Sequence, residues 1–313
     1  MKIRRKNRSP YRSMVATMRG MSVASSPSPM MFTLPKPNGG FEWVQLSAGP
    51  ALICRPLDSY ASHVMTTRGW QLGSPSASSD EAWHELALAI EVGPVNLARV
   101  HQVHGAATVV HREGEAAAEH DTSHAEADII LSDASGLALA IQAADCLPLL
   151  IVDRRTHVVA AVHAGWRGLA LSVPVVAVER LAKEFGSRPT DLLVAIGPAI
   201  GACCYEVGED VRARFREAGF DSPRLARWFT VDPASSPGNP PMPSLPTTRR
   251  PNHWFFDGSQ AARDQLESAG VPPDGVFVAD LCTASHAGVF CSYRRDGRAA
   301  GRMAAVIRRR LRP

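Results

Sequence analysis

Cys146 and His163 stand at the two ends of paired apolar runs in ADCLPLLIVDRRTHVVAAVHAGWRG, residues 144–168. A thiol and an imidazole held side by side support two chemistries. They form a nucleophile with its base, or two ligands of one metal ion. Leu147–Val152 and His157–Val162 have strand composition on either side of the polar DRRT, so the spacing predicts an antiparallel hairpin. A symmetric loop of two or four residues pairs Val152 with His157, Leu150 with Val159 and Pro148 with Ala161, which sets Cys146 opposite His163. Residues so paired have Cα atoms roughly 4.5–5.5 Å apart. An odd-length loop places the two diagonally, still within reach. Beyond His163, Gly165 and Gly168 leave space for a ligand against the backbone. A helix N-terminus follows there and favours an anion, and Arg167 adds positive charge. The plainer reading of the same spacing is a small buried cysteine and a core histidine.

A second cluster is HQVHG, residues 101–105. The flanking valines and Gly105 favour a strand, whose alternation sends His101 and His104 to opposite faces. His104, beside the flexible glycine, is then the better third partner. Two imidazoles and a thiolate make a tetrahedral zinc site with one open position, the arrangement catalytic zinc needs. Other groups carry weaker signals. His120 and His124 read as part of a solvated loop, and the vicinal Cys203 and Cys204 as part of a Gly-bounded turn. SYRRDGRAAGR reads as a hairpin tip, with phosphate binding as the sharper alternative. Walker A, GxGxxG, GxSxG and HExxH patterns are absent.

The elements that must position these residues belong to an ordinary globular chain of 313 residues, 45% hydrophobic and 20% charged. Its net charge of +4 comes from the ends: MKIRRKNRSPYRS opens the chain and RRRLR lies near its close. The body is near neutral, which argues against a nucleic-acid surface. Neither a transmembrane run nor a secretory h-region is present, and six scattered cysteines fit a reducing cytoplasm. Residues 1–31 read as a disordered, basic, Ser/Pro-rich tail, and 32–313 as a single domain. A Pro-rich loop or insertion with eight prolines is expected at about 221–254. DEAWHELALAIE puts Trp83, Leu86, Ala87 and Ile90 on one helical face behind Asp80. VPVVAVERLAKEFG places Val175, Val178, Ala182 and Phe185 at helical spacing. ADIILSD and GLALAIQAA read as strands joined by an Asp-Ala-Ser-Gly turn. Hairpin-type pairs outnumber strand–helix–strand units, which gives an α+β fold.

Several of these stretches occur together in one known family. Thr66–Arg68, QVHG, ADIILSD, ADCLP, VHAGWRG, IGPAIGACCYEVG, LCT, SYRRDG and GRMA, in this order, resemble the YfiH/laccase-domain family, also called polyphenol oxidase-like or purine nucleoside phosphorylase-like. Some bacterial members are named peptidoglycan editing factor. The resemblance spans roughly residues 42–307 and implies an α/β/β/α layered domain with antiparallel and mixed sheets. It implies zinc held by His104, Cys146 and His163, with copper as the less favoured metal. It also implies phosphorolysis of adenosine, inosine and methylthioadenosine, with deamination of adenosine. The sequence departs from the family after Arg68, in GWQLGSPSASSDEAWHEL, and at Phe256, Asp257, Gly258 and Ala261, so a divergent specificity is expected.

The leading expectation is therefore a zinc-dependent purine nucleoside phosphorylase with adenosine deaminase side activity. Its partners would be a nucleoside and phosphate, with no nucleic acid and no membrane, and a monomer is the expected state. Arg68 and Arg167 are the expected phosphate ligands, by charge and motif position. The first alternative makes Cys146 the nucleophile and His163 its base, in a cysteine hydrolase or amidase editing peptidoglycan precursors. The second is a non-enzymatic, zinc-stabilised binding module, which needs Asp145 as a fourth ligand.

Overall fold

The computed structural model describes residues 33–73, 80–115, 122–246 and 248–311. The tail expected at 1–31, together with His120, lies outside the described residues. A first sheet runs in the spatial order β1 (Phe41–Leu46), β2 (Gly49–Cys54), β3 (Ala61–Thr66), β15 (Met303–Arg309), β7 (Ala138–Ala143), β4 (Leu97–Ala98). A second runs β14 (Val276–Val278), β10 (Leu192–Ile196), β8 (Leu147–Asp153), β9 (Val159–Ala164), β6 (Ile129–Ser132), β5 (Thr108–His111). Parallel pairs occur at β4–β7, β10–β14 and β5–β6, and the other neighbours in these two sheets are antiparallel. A small third sheet joins β11 (Glu206–Gly208), β13 (His253–Phe256) and β12 (Phe229–Thr230). The helices are α1 (Asp80–Ala89), α2 (Trp166–Ala170), α3 (Val173–Phe185), α4 (Glu209–Glu217), α5 (Ser222–Trp228), α6 (Gly258–Ser268) and α7 (Tyr293–Asp296). The fold is mixed α+β, as the sequence indicates.

Alternation along β8 defines the layers. Leu149 and Ile151 pack with Ala177, Val178 and Leu181 of α3 and Ala262 and Leu266 of α6. Leu150 and Val152 face the other way, onto Leu139, Ile141, Ala305 and Ile307 of the first sheet. A strand buried on both faces carries apolar side chains at every position, which is why this segment reads as an unbroken apolar run. Each such Leu or Val contributes roughly 1.5–3 kcal/mol by leaving water. The first sheet is covered on its far face too, since Ile53, Val64, Ala140 and Val306 are all buried.

The predicted face of α1 is the buried one, with Trp83, Leu86, Ala87 and Ile90 all inside. The face of α3 is rotated from the expected one. Val173, Pro174, Ala177, Val178 and Leu181 are buried, while Val175, Ala182 and Phe185 are only partly covered. ADIILSD and GLALAIQAA do form strands, but not a hairpin. β6 joins the second sheet and β7 the first, so the turn between them carries the chain from one layer to the other. The Pro-rich stretch opens with α5, capped by Asp221 accepting from the Arg224 amide at 2.9 Å, and then enters β12. Among the described residues no helix is long and apolar enough to cross a membrane.

The β8–β9 hairpin exists, with its register two residues from the symmetric prediction. Val152 pairs with Val159, Leu150 with Ala161 and Pro148 with His163. The loop is responsible. Asp153 and Val158 close it through a 2.9 Å bond, and the Asp153 carboxylate accepts from the Arg155 and Thr156 amides at 2.7 and 3.1 Å. His157 takes the left-handed conformation that completes the turn (φ 63°). Side chains alternate with period two, so a two-residue shift changes no face. Cys146 therefore lies diagonal to His163, one position beyond the strand, on the same inter-sheet side.

Candidate functional site

Residues 144–146 are the bridge from β7 in one sheet to β8 in the other. Asp145 makes the crossing at φ 92°, a region an L-residue enters only when its surroundings fix it. They do. Its carboxylate accepts from the Thr283 hydroxyl and the Arg294 amide, each at 2.6 Å, and its carbonyl from the Ile200 amide at 2.9 Å. Burial pushes this carboxyl up, against the pull of those donors. Both oxygens of Asp145 are thus engaged away from Cys146, so the fourth ligand that a closed zinc module requires is not supplied by it.

His104 sits in a turn and not in the strand expected for ARVHQVHG; its φ is 61°. The turn wraps around Asp128, whose carboxylate accepts from the amides of Gly105 at 2.7 Å, His104 at 3.1 Å and Val103 at 3.3 Å. The same carboxylate lies 2.7 Å from His163 Nδ1 at the end of β9. One fully buried acid therefore positions two imidazoles from opposite parts of the chain. The rings stand edge to face with centroids 4.9 Å apart, and Cys146 Sγ lies 3.8 Å from His104 Nε2. One donor atom from each of His104, Cys146 and His163 lies within 4.8 Å of the others. Gly165 makes the approach feasible, because a Cβ there would fall 2.9 Å from Cys146 Sγ and 3.0 Å from His104 Cδ2.

This donor set suits a metal ion. With Nδ1 of His163 bonded to Asp128, its Nε2 lone pair is free to ligate, the carboxylate–histidine pairing typical of metal sites. Zinc–ligand bonds of about 2.0–2.3 Å put tetrahedral N and S ligands roughly 3.6 Å apart, close to the Cys146–His104 separation. Burial opposes ionisation of Cys146, but hydrogen bonds and charge from His104 and His163 outweigh it and bring the thiol down to about 6. His163 shows the reverse balance: burial disfavours its charge, yet Asp128 and Cys146 raise it to about 9. Burial also disfavours the Asp128 carboxylate, and its bonds to His163, Gly105 and His104 hold it below the usual range. Without a metal, the centre is a thiolate–imidazolium pair.

The three side chains line a cavity of about 770 Å³. Arg167 lines it as expected, its guanidinium stacked 4.5 Å over Trp166. Arg68 does not. It is exposed, bonded to the Ala287 carbonyl, and outside the cavity lining. Three other arginines line it: Arg99, and from SYRRDGRAAGR, the stretch for which phosphate binding is the sharper alternative, Arg294 and Arg302. Arg294 belongs to SYRRDG, which forms the capped helical turn α7 and not a hairpin tip. Its guanidinium lies 4.8 Å over Tyr205 and donates to the Glu206 carbonyl at 2.6 Å. Tyr205, Tyr293 and Trp166 supply aromatic wall. Asp128 was also missed, although an acid abutting the apolar run IILS is costly unless partnered and so carries a signal. Cys203 and Cys204 do lie in a turn, and Cys282 joins them in a second cluster.

Fold and site together define an enzyme-like class: a two-sheet α+β sandwich with a His₂Cys centre opening into a cationic cavity. The sequence pattern of the family described as multi-copper polyphenol oxidoreductase laccase matches residues 67–310, and the chain belongs to this laccase-domain (YfiH) family. It is 34% identical over 180 residues to a Bacteroides thetaiotaomicron protein named purine nucleoside phosphorylase, covering 58% of this chain and 60% of that protein. It is 35% identical over 212 residues to purine nucleoside phosphorylase YlmD of Geobacillus stearothermophilus, covering 67% and 70% of the two chains. The chain thus spans less than two thirds of the first relative's length and slightly more of the second's. The crystal structure of Bacillus licheniformis YfiH superposes with a TM-score of 0.70 at 24% identity, over 86% of this chain and 99% of that one, which speaks to the fold.

Proposed function

We propose that this chain is a purine nucleoside phosphorylase acting on adenosine, inosine and methylthioadenosine, with zinc held by His104, Cys146 and His163. Adenosine deamination is a side activity of the same site. The observation that carries this reading is that one cavity is lined by the two-imidazole, one-thiol centre together with four arginines and three aromatic residues. Its volume lies within the roughly 300–1,000 Å³ of small-ligand sites. The names of the relatives support the substrate class. The match to a laccase family leaves copper as the rival metal. The chain lacks the abundant HxH pairs of multicopper chemistry.

Bound there, zinc supplies Lewis-acid polarisation and a lowered water pKa. The remaining work belongs to the chain. Arg167, Arg294 and Arg302 hold the phosphate dianion through charge-assisted hydrogen bonds. Trp166, Tyr205 and Tyr293 give the flat purine apolar contact. In phosphorolysis a phosphate oxygen bonds to ribose C1′ as the C1′–N9 bond breaks, and the leaving purine takes up a proton at nitrogen. Asp128 keeps His163 in one tautomer, and Gly165 leaves the space that the centre and its ligand share.

The test is direct. Purified protein given inosine and phosphate releases hypoxanthine and ribose 1-phosphate, chelation stops this, and zinc restores it. Full turnover by metal-free protein would reject the metal-dependent reading. A second reading, a cysteine hydrolase acting on an amide, draws support from the thiolate–imidazolium pair. A thiolate bound to metal is a poor free nucleophile, so the two compete for one sulfur. Retention of stoichiometric metal by Cys146→Ser together with complete loss of turnover favours the nucleophile.

A further inference from the structure

Away from the His₂Cys centre, Cys203, Cys204 and Cys282 bring three sulfur atoms within 4.8 Å of one another. All three side chains are buried. They come from distant places in the chain: the turn after β10, and the segment after β14. The Cys203 and Cys204 sulfurs are 3.6 Å apart, too far for a disulfide. The Ser285 hydroxyl lies 3.5 Å from the first and 3.4 Å from the second, and it also bonds Cys282. Backbone amides point at the sulfurs as well: Gly201 N to Cys282 at 3.3 Å and Met242 N to Cys204 at 3.2 Å. Three sulfurs and one hydroxyl oxygen, whose proton goes to the Pro240 carbonyl at 2.5 Å, thus lie close together, with amide donors placed to stabilise sulfur as thiolate.

We propose that Cys203, Cys204 and Cys282, closed by the Ser285 hydroxyl, form a second metal site for a thiophilic d¹⁰ cation, Zn(II) or Cu(I). Three thiolates select such ions over harder ones. Bonds of about 2.3 Å to sulfur put neighbouring sulfurs roughly 3.8 Å apart in a tetrahedral site and roughly 4.0 Å apart in a trigonal one, so the present separations need only small adjustments. Cation binding displaces the protons that the thiols carry. Cys203, with Gly201, Ala202 and Asn239, also lines a second cavity of about 210 Å³.

The site lies where three loops already meet: the Cys203–Cys204 turn, the segment bearing Met242, and the Cys282–Ser285 stretch, joined by bonds such as Cys282 N to Asn239 Oδ1 at 2.8 Å and by a shared apolar cluster. Its neighbours reach the first centre. Tyr205 follows Cys204 and lines the large cavity, and Thr283 follows Cys282 and holds Asp145 beside Cys146. A cation at the three sulfurs therefore braces the cavity wall from behind without touching substrate.

The test uses the full chain prepared under reducing, anaerobic conditions and loaded separately with Zn(II) and with Cu(I). His104→Ala/His163→Ala removes the first centre and is expected to retain one equivalent of metal, with X-ray absorption showing a three-sulfur shell and no imidazole. Cys203→Ser/Cys282→Ser is expected to retain one equivalent in a shell of two nitrogens and one sulfur. Wild type, which needs no substitution to fold, is expected to bind two equivalents, with twice as many sulfur as imidazole ligands on average. Preference for Zn(II) selects the four-coordinate form with Ser285, and preference for Cu(I) the trigonal one. Wild type that saturates at one equivalent with each ion, in an N₂S shell, overturns the proposal. So does a Cys203–Cys204 disulfide in freshly isolated protein. Neither result bears on turnover at the first centre.

Discussion

Asp128→Asn changes almost no volume and removes one charge, so it isolates what the buried carboxylate does. Four donors converge on it: His163 Nδ1 and the His104 amide on Oδ1, and the Val103 and Gly105 amides on Oδ2. An asparagine offers an acceptor at only one of these positions. With its oxygen toward His163, its NH₂ faces the Val103 and Gly105 amides, and the His104 turn loses its anchor. With the amide flipped, the NH₂ faces His163 Nδ1 and forces the proton onto Nε2, which removes the lone pair needed for ligation. Each arrangement leaves one or two buried donors without an acceptor, at about 1–3 kcal/mol each. A loss of roughly 2–4 kcal/mol in folding stability follows. Second-sphere partners of metal-bound histidine typically carry about 10–100-fold in affinity, or roughly 1.4–2.7 kcal/mol. Urea denaturation of chelated protein measures the first quantity, and competition against a chromophoric zinc chelator the second. A variant with wild-type midpoint and an affinity within threefold of wild type would show that Asp128 does not organise the centre.

Three further outcomes follow from the geometry. Gly165→Ala places a methyl 2.9 Å from the Cys146 sulfur, so metal affinity falls at least tenfold while circular dichroism stays native; titration with zinc measures it, and unchanged affinity counts against the packing described. Arg167→Ala raises the KM for phosphate by about 10–100-fold, from one lost charge-assisted bond of roughly 1.5–3 kcal/mol, whereas Arg68→Ala leaves it within twofold because that guanidinium is outside the cavity. In metal-free protein Cys146 is ionised above about 6 and His163 stays charged up to about 9. Iodoacetamide labelling of Cys146 therefore persists at neutral pH and falls as pH drops through about 6, and a midpoint near the ordinary thiol value would refute the ion pair.

The parts of the site that could be read from the sequence are those fixed by period-two alternation. Cys146 and His163 are brought together although the loop shifts the register by two, because that shift preserves the face. His104 is legible as a partner but not as a turn, since the turn is imposed by Asp128, and the local sequence signals that this acid needs partners without saying which. Tyr205 is illegible for the same reason, since the spacing of residues 146 and 205 says nothing of their meeting in one cavity, while Arg294 is reached only through the phosphate-binding alternative for SYRRDGRAAGR. The splitting of β6 and β7 between sheets has a different cause. Strands covered on both faces show no alternation to reveal their partner, so a turn within a sheet and a turn between sheets look alike. Arg68 stands out by charge and motif position, and neither property specifies where an exposed guanidinium points.

The measurement closest to the central claim is phosphate-dependent cleavage of inosine by the native, chelated and zinc-reconstituted chain, with metal content determined on the same samples. Hypoxanthine and ribose 1-phosphate are expected in equal amounts, with loss of both on chelation and recovery in proportion to the metal regained at His104, Cys146 and His163. Equal turnover in metal-free and metal-loaded samples, or nucleoside left intact by fully loaded protein, would contradict that claim.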